Sequence, residues 1–547
     1  MQSRTFCTRQ GKRCEQWRQR AIKHGGIPGV FIVLDSLLYP LHITVLSSPV
    51  TNQTMASSSW RSRSPGSRAT RLLSLAAWAV LSACSTPPVQ APAPSVPLAA
   101  DFAHSHAAQA ESAAADAAWW AVLGDSTLTA LVEEALGSNQ DINIALQRVA
   151  QARAGADAQA SRLWPAVGVQ ASASRSSSGL PEFLKQGMPD TRALSAGIDV
   201  AWEIDLAGGV RAARDAMQAD TTAAAAGVQG ARLLVASEVA RQYFVLRSAQ
   251  ERLRIVQALA KAQRDTASRV ESRLREGQAS AFDHDRARAE ADALDAQVPA
   301  LRMLVGTTQT RLAVLLGRNP SARVVDADNG FAWPATRAIA TGQPSELLRR
   351  RPDLVAAEAR VGAEALRTAE ARAQWWPKLF LNALVGRQDL RLNELDLAPV
   401  HFSNVALAFA MPIFNAGRID AGVRVQSARA DEALLVWQKA VLVAVQEVED
   451  SLLVRSQEAE RNASLARTAQ HRSRSLQRAE SLQREGQIDL LVLLDVQRSV
   501  LASELALAES RLQQALADVQ LYKALGGEFH MTNADAGITF LATGTPR

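Results

Sequence analysis

Few side chains in this 547-residue sequence are spaced for catalysis. The eight histidines are scattered, and the one close-spaced pair, His104 and His106, lies in a polar, alanine-rich stretch. There is no His-Glu-x-x-His zinc spacing, no Cys-x-x-Cys pair, no phosphate-binding loop and no dinucleotide glycine fingerprint. The sequence therefore predicts no enzyme, no resident metal and no cofactor, and any energy for work must come from a partner. One thiol is placed for modification. Cys84 follows the apolar run Leu72 to Leu81, which follows Arg61, Arg63, Arg68 and Arg71. Basic residues followed by a short apolar run are the pattern of a secretory signal, here beginning at Met55. The run is too short to span a bilayer as a helix.

Leu81-Ser82-Ala83-Cys84 resembles the lipobox of bacterial lipoproteins. The resemblance implies a signal over 55–83, cleavage before Cys84, and a lipid carried by that residue as the new N-terminus. Ser85, being non-acidic, fits an outer-membrane destination for such a lipoprotein. Residues 1–54 then precede the true start; their apolar stretch Val30 to Leu46 is broken by Asp35 and Pro40. Without residues 1–84 the chain holds 49 basic and 52 acidic residues, net −3, so the high pI belongs to the leader. That balance gives nucleic-acid binding no support. Cys7, Cys14 and Cys84 all lie at or before the anchor, so the mature chain has no internal disulfide. Residues 84–115, rich in Pro, Ala and Ser at their start, read as a lipidated N-terminus and flexible tether.

The elements behind the anchor occur twice. Arg275-Glu276-Gly277-Gln278 returns as Arg484-Glu485-Gly486-Gln487, 209 residues later. Leu316-Gly317 returns as Leu525-Gly526, Ala207-Gly208 as Ala416-Gly417, and Glu238-Val239 as Glu447-Val448. Asp141-Ile142 and Trp164-Pro165 return as Asp353-Leu354 and Trp376-Pro377 at an offset of 212, so the first hairpin is three residues longer. A fixed offset over this length marks a duplicated unit. The units span 116–317 and 346–526, joined by 318–345 and followed by a tail, 527–547.

Each unit reads as a helix, two strands and two long helices. Strands are expected at about 164–176 and 192–205, then at about 377–387 and 402–414. One face of the second strand carries Leu194, Ala196, Ile198, Val200, Trp202 and Ile204, and the other Ser195, Gly197, Asp199, Ala201 and Glu203. Such alternation over about ten residues suits a transmembrane strand or a soluble sandwich strand equally. Residues 209–275 and 418–483 contain no proline and read as helices about 100 Å long. Each reverses near a glycine, at about 276–280 and 485–489, and returns along a heptad seam. Leu294, Val298, Leu301, Val305, Thr308, Leu312 and Leu315 form the first seam; Leu501, Leu505, Ala508, Leu512, Ala515, Val519 and Tyr522 form the second. Four strands cannot close a membrane barrel, and open edges in lipid are costly. If the strands enter a membrane, several chains must pool them, and three chains would supply about twelve strands, as even-numbered barrels require.

Four segments in this order resemble the TolC-type outer-membrane efflux proteins, in their NodT-like lipoprotein branch. They are Glu346 to Leu354, Trp375-Trp376-Pro377-Lys378-Leu379, Met411 to Arg418, and Arg484-Glu485-Gly486-Gln487 through Leu494 to Arg498. The resemblance implies a mainly α fold with a small β part. As a homotrimer it would form a 12-stranded outer-membrane β-barrel continuous with a periplasmic α-helical barrel. A mixed belt would surround the middle, built from 318–345, 527–547 and the N-terminal region. The tube would be a passive exit channel expelling small molecules, docked with a periplasmic adaptor and an inner-membrane pump of the RND type. Its setting would be the outer membrane of a Gram-negative bacterium, anchored by lipid and reaching into the periplasm.

The same resemblance nominates site residues. The tips, where adaptors contact the family, correspond to Arg275, Glu276, Gly277, Gln278 and Ser280, and to Arg484, Gly486, Gln487 and Asp489. Asp495 falls where an inward acidic residue can narrow the periplasmic entrance, with Leu491 and Leu494 as apolar neighbours. Some members carry a second acidic residue where this chain has Val492. Arg349-Arg350-Arg351, before a proline suited to a first helical turn, reads as structural. Trp375 and Trp376 suit either an interfacial aromatic belt or core packing. The competing reading is a lipid-anchored periplasmic coiled-coil scaffold or adaptor without a pore. An envelope enzyme lacks any reactive constellation. The seven methionines give no hint of a soft-metal relay, and the sequence does not specify the cargo.

Overall fold

The computed structural model describes residues 96–104, 118–177, 179, 181, 190–326, 331–335, 339–392 and 395–527. The leader, Cys84 and the tail beyond residue 527 lie outside the described residues.

The duplication is visible element by element. The first unit holds α1 (Trp119–Val122), α2 (Ser126–Ser138), α3 (Gln140–Ser161), β1 (Ala166–Ser176), β2 (Thr191–Ile204), α4 (Gly209–Arg275), α5 (Ala281–Asp295) and α6 (Val298–Leu315). A 3-10 turn (Pro344–Glu346) opens the second, followed by α7 (Leu347–Arg350), α8 (Pro352–Ala373), β3 (Lys378–Leu392), β4 (Leu395–Asp396), β5 (Val400–Ala410), α9 (Arg418–Arg484) and α10 (Leu490–Ala524). Helices α3 and α8 have 22 residues each, and α4 and α9 have 67. At 1.5 Å per residue the long helices reach about 100 Å.

The first return departs from the expected single helix. It breaks at Ala296–Gln297, between α5 and α6, just before Pro299. Proline has no N–H to offer the carbonyl four residues back and crowds it. The equivalent position in α10 is Ala508, and that helix runs unbroken for 35 residues. Both seams still pack inward: Leu294, Val298, Leu301, Thr308 and Leu312 are buried in one, and Ala508, Leu512, Ala515 and Val519 in the other.

The repeats are tied at their bases by one contact in two chemistries. Asn139 caps α3 through its side-chain oxygen, while its Nδ2 donates to the Leu315 carbonyl at 2.8 Å. In the second unit Arg351 precedes α8, and its Nη1 donates to the Ala524 carbonyl at 3.0 Å. Leu315 and Ala524 are 209 positions apart. The buried Arg351 also binds Glu447 and Asp353, at 2.7 and 2.8 Å. Burial opposes its charge, but the two carboxylates outweigh that and raise its pKa. Pro352 opens α8 as its first residue, as expected from the sequence.

The largest clusters of buried apolar residues sit at this level. One gathers Trp119, Leu128, Tyr243, Phe244, Leu312 and Leu316, with Phe331 and Trp333 of the inter-repeat segment against it. The other gathers Phe102, Leu347, Leu354, Trp437, Val441 and Leu521. Phe102 corrects the expectation of a free tether over 84–115: it is 3% exposed, and Val96 and Leu98 pack against the same cluster. The backbone N–H groups of Ala103 and His104 donate to the Glu449 carboxylate at 2.6 and 3.0 Å. Burying one aromatic ring and satisfying one carboxylate turns this piece of tether into a strap.

All ladders in the sheet are antiparallel: β1 pairs β2, β2 pairs β3, and β3 pairs β5, with β4 a short addition on β3. β3 runs to Leu392, past the expected 387, while β5 ends at Ala410 rather than 414. Pro412 has no N–H for the ladder, so Met411 to Phe414 leave the sheet. The register aligns Val169, Ile198 and Val385 on one face, and Trp202, Leu381 and Leu407 on the same face. The opposite face carries Gln170, Ser172, Ser195, Asp199, Asn382 and Asn404. No helix packs across either face among the described residues. Val169 is 83% exposed, Ile198 53% and Leu407 66%. A soluble sandwich would have covered that face with a second sheet. An apolar face without a protein cover, backed by a polar one, is the pattern of a barrel wall in lipid.

Candidate functional site: the helical tips and the bore

All four junctions between sheet and helices lie at one end of the sheet, so the helices leave it together and reverse far away. Each reversal is built by the same hydrogen bonds. Gly277 and Gly486 take φ of 73° and 74°. The Gln278 N–H donates to the Arg273 carbonyl at 2.7 Å and the Gly277 N–H to Leu274 at 3.0 Å. In the second tip Gln487 donates to Leu482 at 2.9 Å and Gly486 to Gln483 at 3.1 Å. This paired closure satisfies the last carbonyls of a helix and requires a left-handed residue that glycine supplies at little steric cost.

Beyond the glycines the tips differ. Ser280 caps α5 in a reciprocal pair with Asp283: the Asp283 N–H donates to Ser280 Oγ at 3.1 Å, and the Ser280 N–H donates to the carboxylate at 3.4 Å. Asp489 occupies the matching place before α10 but makes no cap bond, leaving an exposed carboxylate at the start of a helix. Arg275, Glu276, Gly277, Gln278 and Ser280 are exposed, as are Arg484, Gly486, Gln487 and Asp489. Leu490 and Ala279 both pack against the cluster of Ala267, Val270 and Ala287, so the two tips lie close together. The structure thus brings together the nine nominated tip residues in two adjacent turns.

The nominated gate divides. Asp495 is exposed on α10, Leu491 is half-buried one turn before it, and Val492 is 49% exposed on the same side. Leu494 is fully buried, at 0%, and cannot line a bore. Its Cβ points into the hairpin because it is adjacent in sequence to Asp495, about 100° around the helix. The apolar neighbours of Asp495 on its own face are Leu491 and Val492.

Sequence reasoning missed several polar contacts that position these surfaces. Gln263 of α4 donates to Gln497 of α10 at 2.7 Å in a buried pair two residues beyond Asp495. Arg498 pairs with Glu290 of α5 at 2.9 Å. Farther up, Arg455 of α9 meets the buried Asp518 of α10 at 2.5 Å. Burial raises the Asp518 pKa against the opposing pull of Arg455. Each pair joins residues 63 or more positions apart, or lies on different helices, and no local spacing announces them. Near the sheet, Trp164 and Trp375 are exposed and Trp376 is half-buried, so the first two are not packed in the core of the protomer.

Comparison with known proteins agrees with this geometry. The family model described as "Outer membrane efflux protein" matches residues 131–318 and 343–527. The pyoverdine export outer membrane protein OpmQ of Pseudomonas putida is 32% identical over 457 residues, covering 82% of this chain and 95% of that protein. Nodulation protein T of Rhizobium leguminosarum bv. trifolii is 27% identical, covering 84% of this chain and 97% of its own. The solved outer-membrane channel OprN superposes with a TM-score of 0.72 at 30% identity, covering 80% of this chain and 98% of that one. A pore-less scaffold would have no use for the lipid-facing strands. The chain belongs to the outer membrane efflux protein family, and it is the trimeric outer-membrane exit channel of a tripartite efflux system.

Proposed function

We propose that this channel is a passive duct for small molecules, docked through its paired tips to the periplasmic adaptor of an RND-type pump and held by lipid at Cys84. The observation that carries the docking is the pair of exposed, glycine-closed turns lying side by side at the end of the helices farthest from the sheet. Their free polar groups, Gln278, Gln487 and Asp489 among them, can be met by a partner without unfolding a helix. Photo-crosslinking from positions 278 and 487 in cells tests it: capture of one adaptor is expected, and capture of none from either tip would contradict it. OpmQ is named for pyoverdine export and other relatives for cation or antibiotic efflux. In this reading the pump sets the cargo, and the duct accepts what it is handed.

In this proposal residues 55–83 form the signal removed before Cys84. Cys84→Ser should abolish incorporation of labelled fatty acid, and retained label would refute the anchor. Asp495 is assigned to the periplasmic gate. Three copies around a symmetry axis repel one another and attract cations. Asp495→Ala should therefore lower cation preference in planar-bilayer recordings, and unchanged selectivity would remove the assignment.

A further inference from the structure

The apolar face of the sheet ends in a row of arginines. Arg175 of β1 lies opposite Arg192 of β2, which lies opposite Arg391 of β3. By strand parity all three project on the face that carries Val169, Ile198 and Val385, away from the bore. All three are exposed. From Leu379, at the helix end of β3, to Arg391 is twelve residues. That is about 40 Å of strand, or about 30 Å along the membrane normal at a tilt of about 40°. The row therefore sits one hydrocarbon thickness from the periplasmic rim, at the headgroups of the outer leaflet.

Like charges directly opposite one another destabilise a sheet. Asp396 meets Arg391 through both Nε and Nη2. Arg175 and Arg192 have no ion-pair partner among the described residues. Four residues nearer the helices on the same face, Arg387 is paired with Asp389 at 3.1 Å, so the excess charge is confined to the rim. Three guanidinium groups on neighbouring strands span about 10 Å. Arg391 is held by Asp396, and the guanidinium groups of Arg175 and Arg192 keep the planar fork that binds phosphate oxygens in pairs.

We propose that Arg175 and Arg192, flanked by the Asp396-bound Arg391, form a clamp on each protomer for the phosphate groups of the phosphorylated glycolipid in the outer leaflet. Charge complementarity and position carry the assignment: the strip lies where lipid phosphates lie, beside the surface their acyl chains cover. Bound phosphate relieves the repulsion along the row, so the lipid stabilises the barrel rim.

The test uses the full-length trimer in phosphatidylcholine nanodiscs containing bisphosphorylated lipid A, dephosphorylated lipid A, or neither. Native mass spectrometry then reads the lipid retained per trimer. The wild-type protein should retain the phosphorylated form at least tenfold more strongly than the dephosphorylated form, and millimolar inorganic phosphate should not displace it. Arg175→Gln/Arg192→Gln should lose that preference while still migrating as a trimer. Arg192→Lys, which keeps the charge, should retain most of it and guards against a folding defect in the double variant. Equal retention of both lipids by the wild type, unaltered preference in the double variant, or displacement by free phosphate would each overturn the clamp.

Discussion

Arg351 shows what a single residue contributes beyond its local sequence. Its place before Pro352 announced a helix start, and the structure has α8 begin there. Its other role was not legible, because the Ala524 carbonyl and the Glu447 carboxylate it binds are 173 and 96 positions away. Arg351→Met would leave both acceptors unpaired beside the second apolar cluster. Breaking a fully buried pair costs about 3–5 kcal/mol. Both carboxylates here are more than a third exposed, which screens the interaction, so about 2 kcal/mol is expected. The midpoint of denaturant-induced unfolding of the detergent-solubilised trimer checks this, and a shift indistinguishable from zero would deny Arg351 its role. Gly277 and Gly486 were readable for the opposite reason: a left-handed residue closing a helix is a local requirement, stated twice by the sequence.

At the scale of elements, the long helices and their seams followed from periodicity, since burial on one face repeats every three to four residues. The break in the first return did not, although Pro299 was its signal, because the heptad spacing continues across it. The strap over 96–104 was hidden by composition. A Pro- and Ala-rich segment reads as a tether, and it is fixed by Phe102, with Val96 and Leu98 beside it, and by the facing Glu449. Burial raises the Glu449 pKa, but the N–H donors of Ala103 and His104 and the His104 ring outweigh it, holding the carboxyl below its usual range. A carboxylate depressed by docking favours the docked strap above its undocked pKa, and that advantage is lost as pH falls through the docked value. Limited proteolysis of residues 96–104 should therefore accelerate in acid below the usual carboxylate range and change little between neutral and mildly alkaline pH. Glu449→Gln should be cut faster at neutral pH. Cleavage independent of both pH and this substitution would contradict the strap.

The whole molecule is completed only by its copies. Helix α4 is packed on several sides, whereas its duplicate α9 leaves Leu435, Val436, Leu442 and Val454 exposed, an apolar side for the neighbouring protomer. Among the described residues the sheet likewise presents unpaired edges on β1 and β5. The sequence alternation left a soluble sandwich open; Val169, Ile198 and Leu407 are exposed with no helix or second sheet over them among the described residues, and the family match makes that face the lipid-facing one. Val405→Arg should cost about 2–4 kcal/mol, as arginine does near the midplane of a barrel's outer face. Ala406→Arg, on the polar face, should cost far less and alter conductance instead. Equal loss of trimer from both substitutions would reverse the sidedness assigned here. The central requirement is that β1 of one protomer pairs with β5 of the next. A double-cysteine scan, Val169→Cys with single cysteines at positions 401 to 409, tests it in native membranes. One register is predicted to give disulfide-linked trimers on oxidation; a full scan yielding only monomers would contradict the twelve-stranded ring.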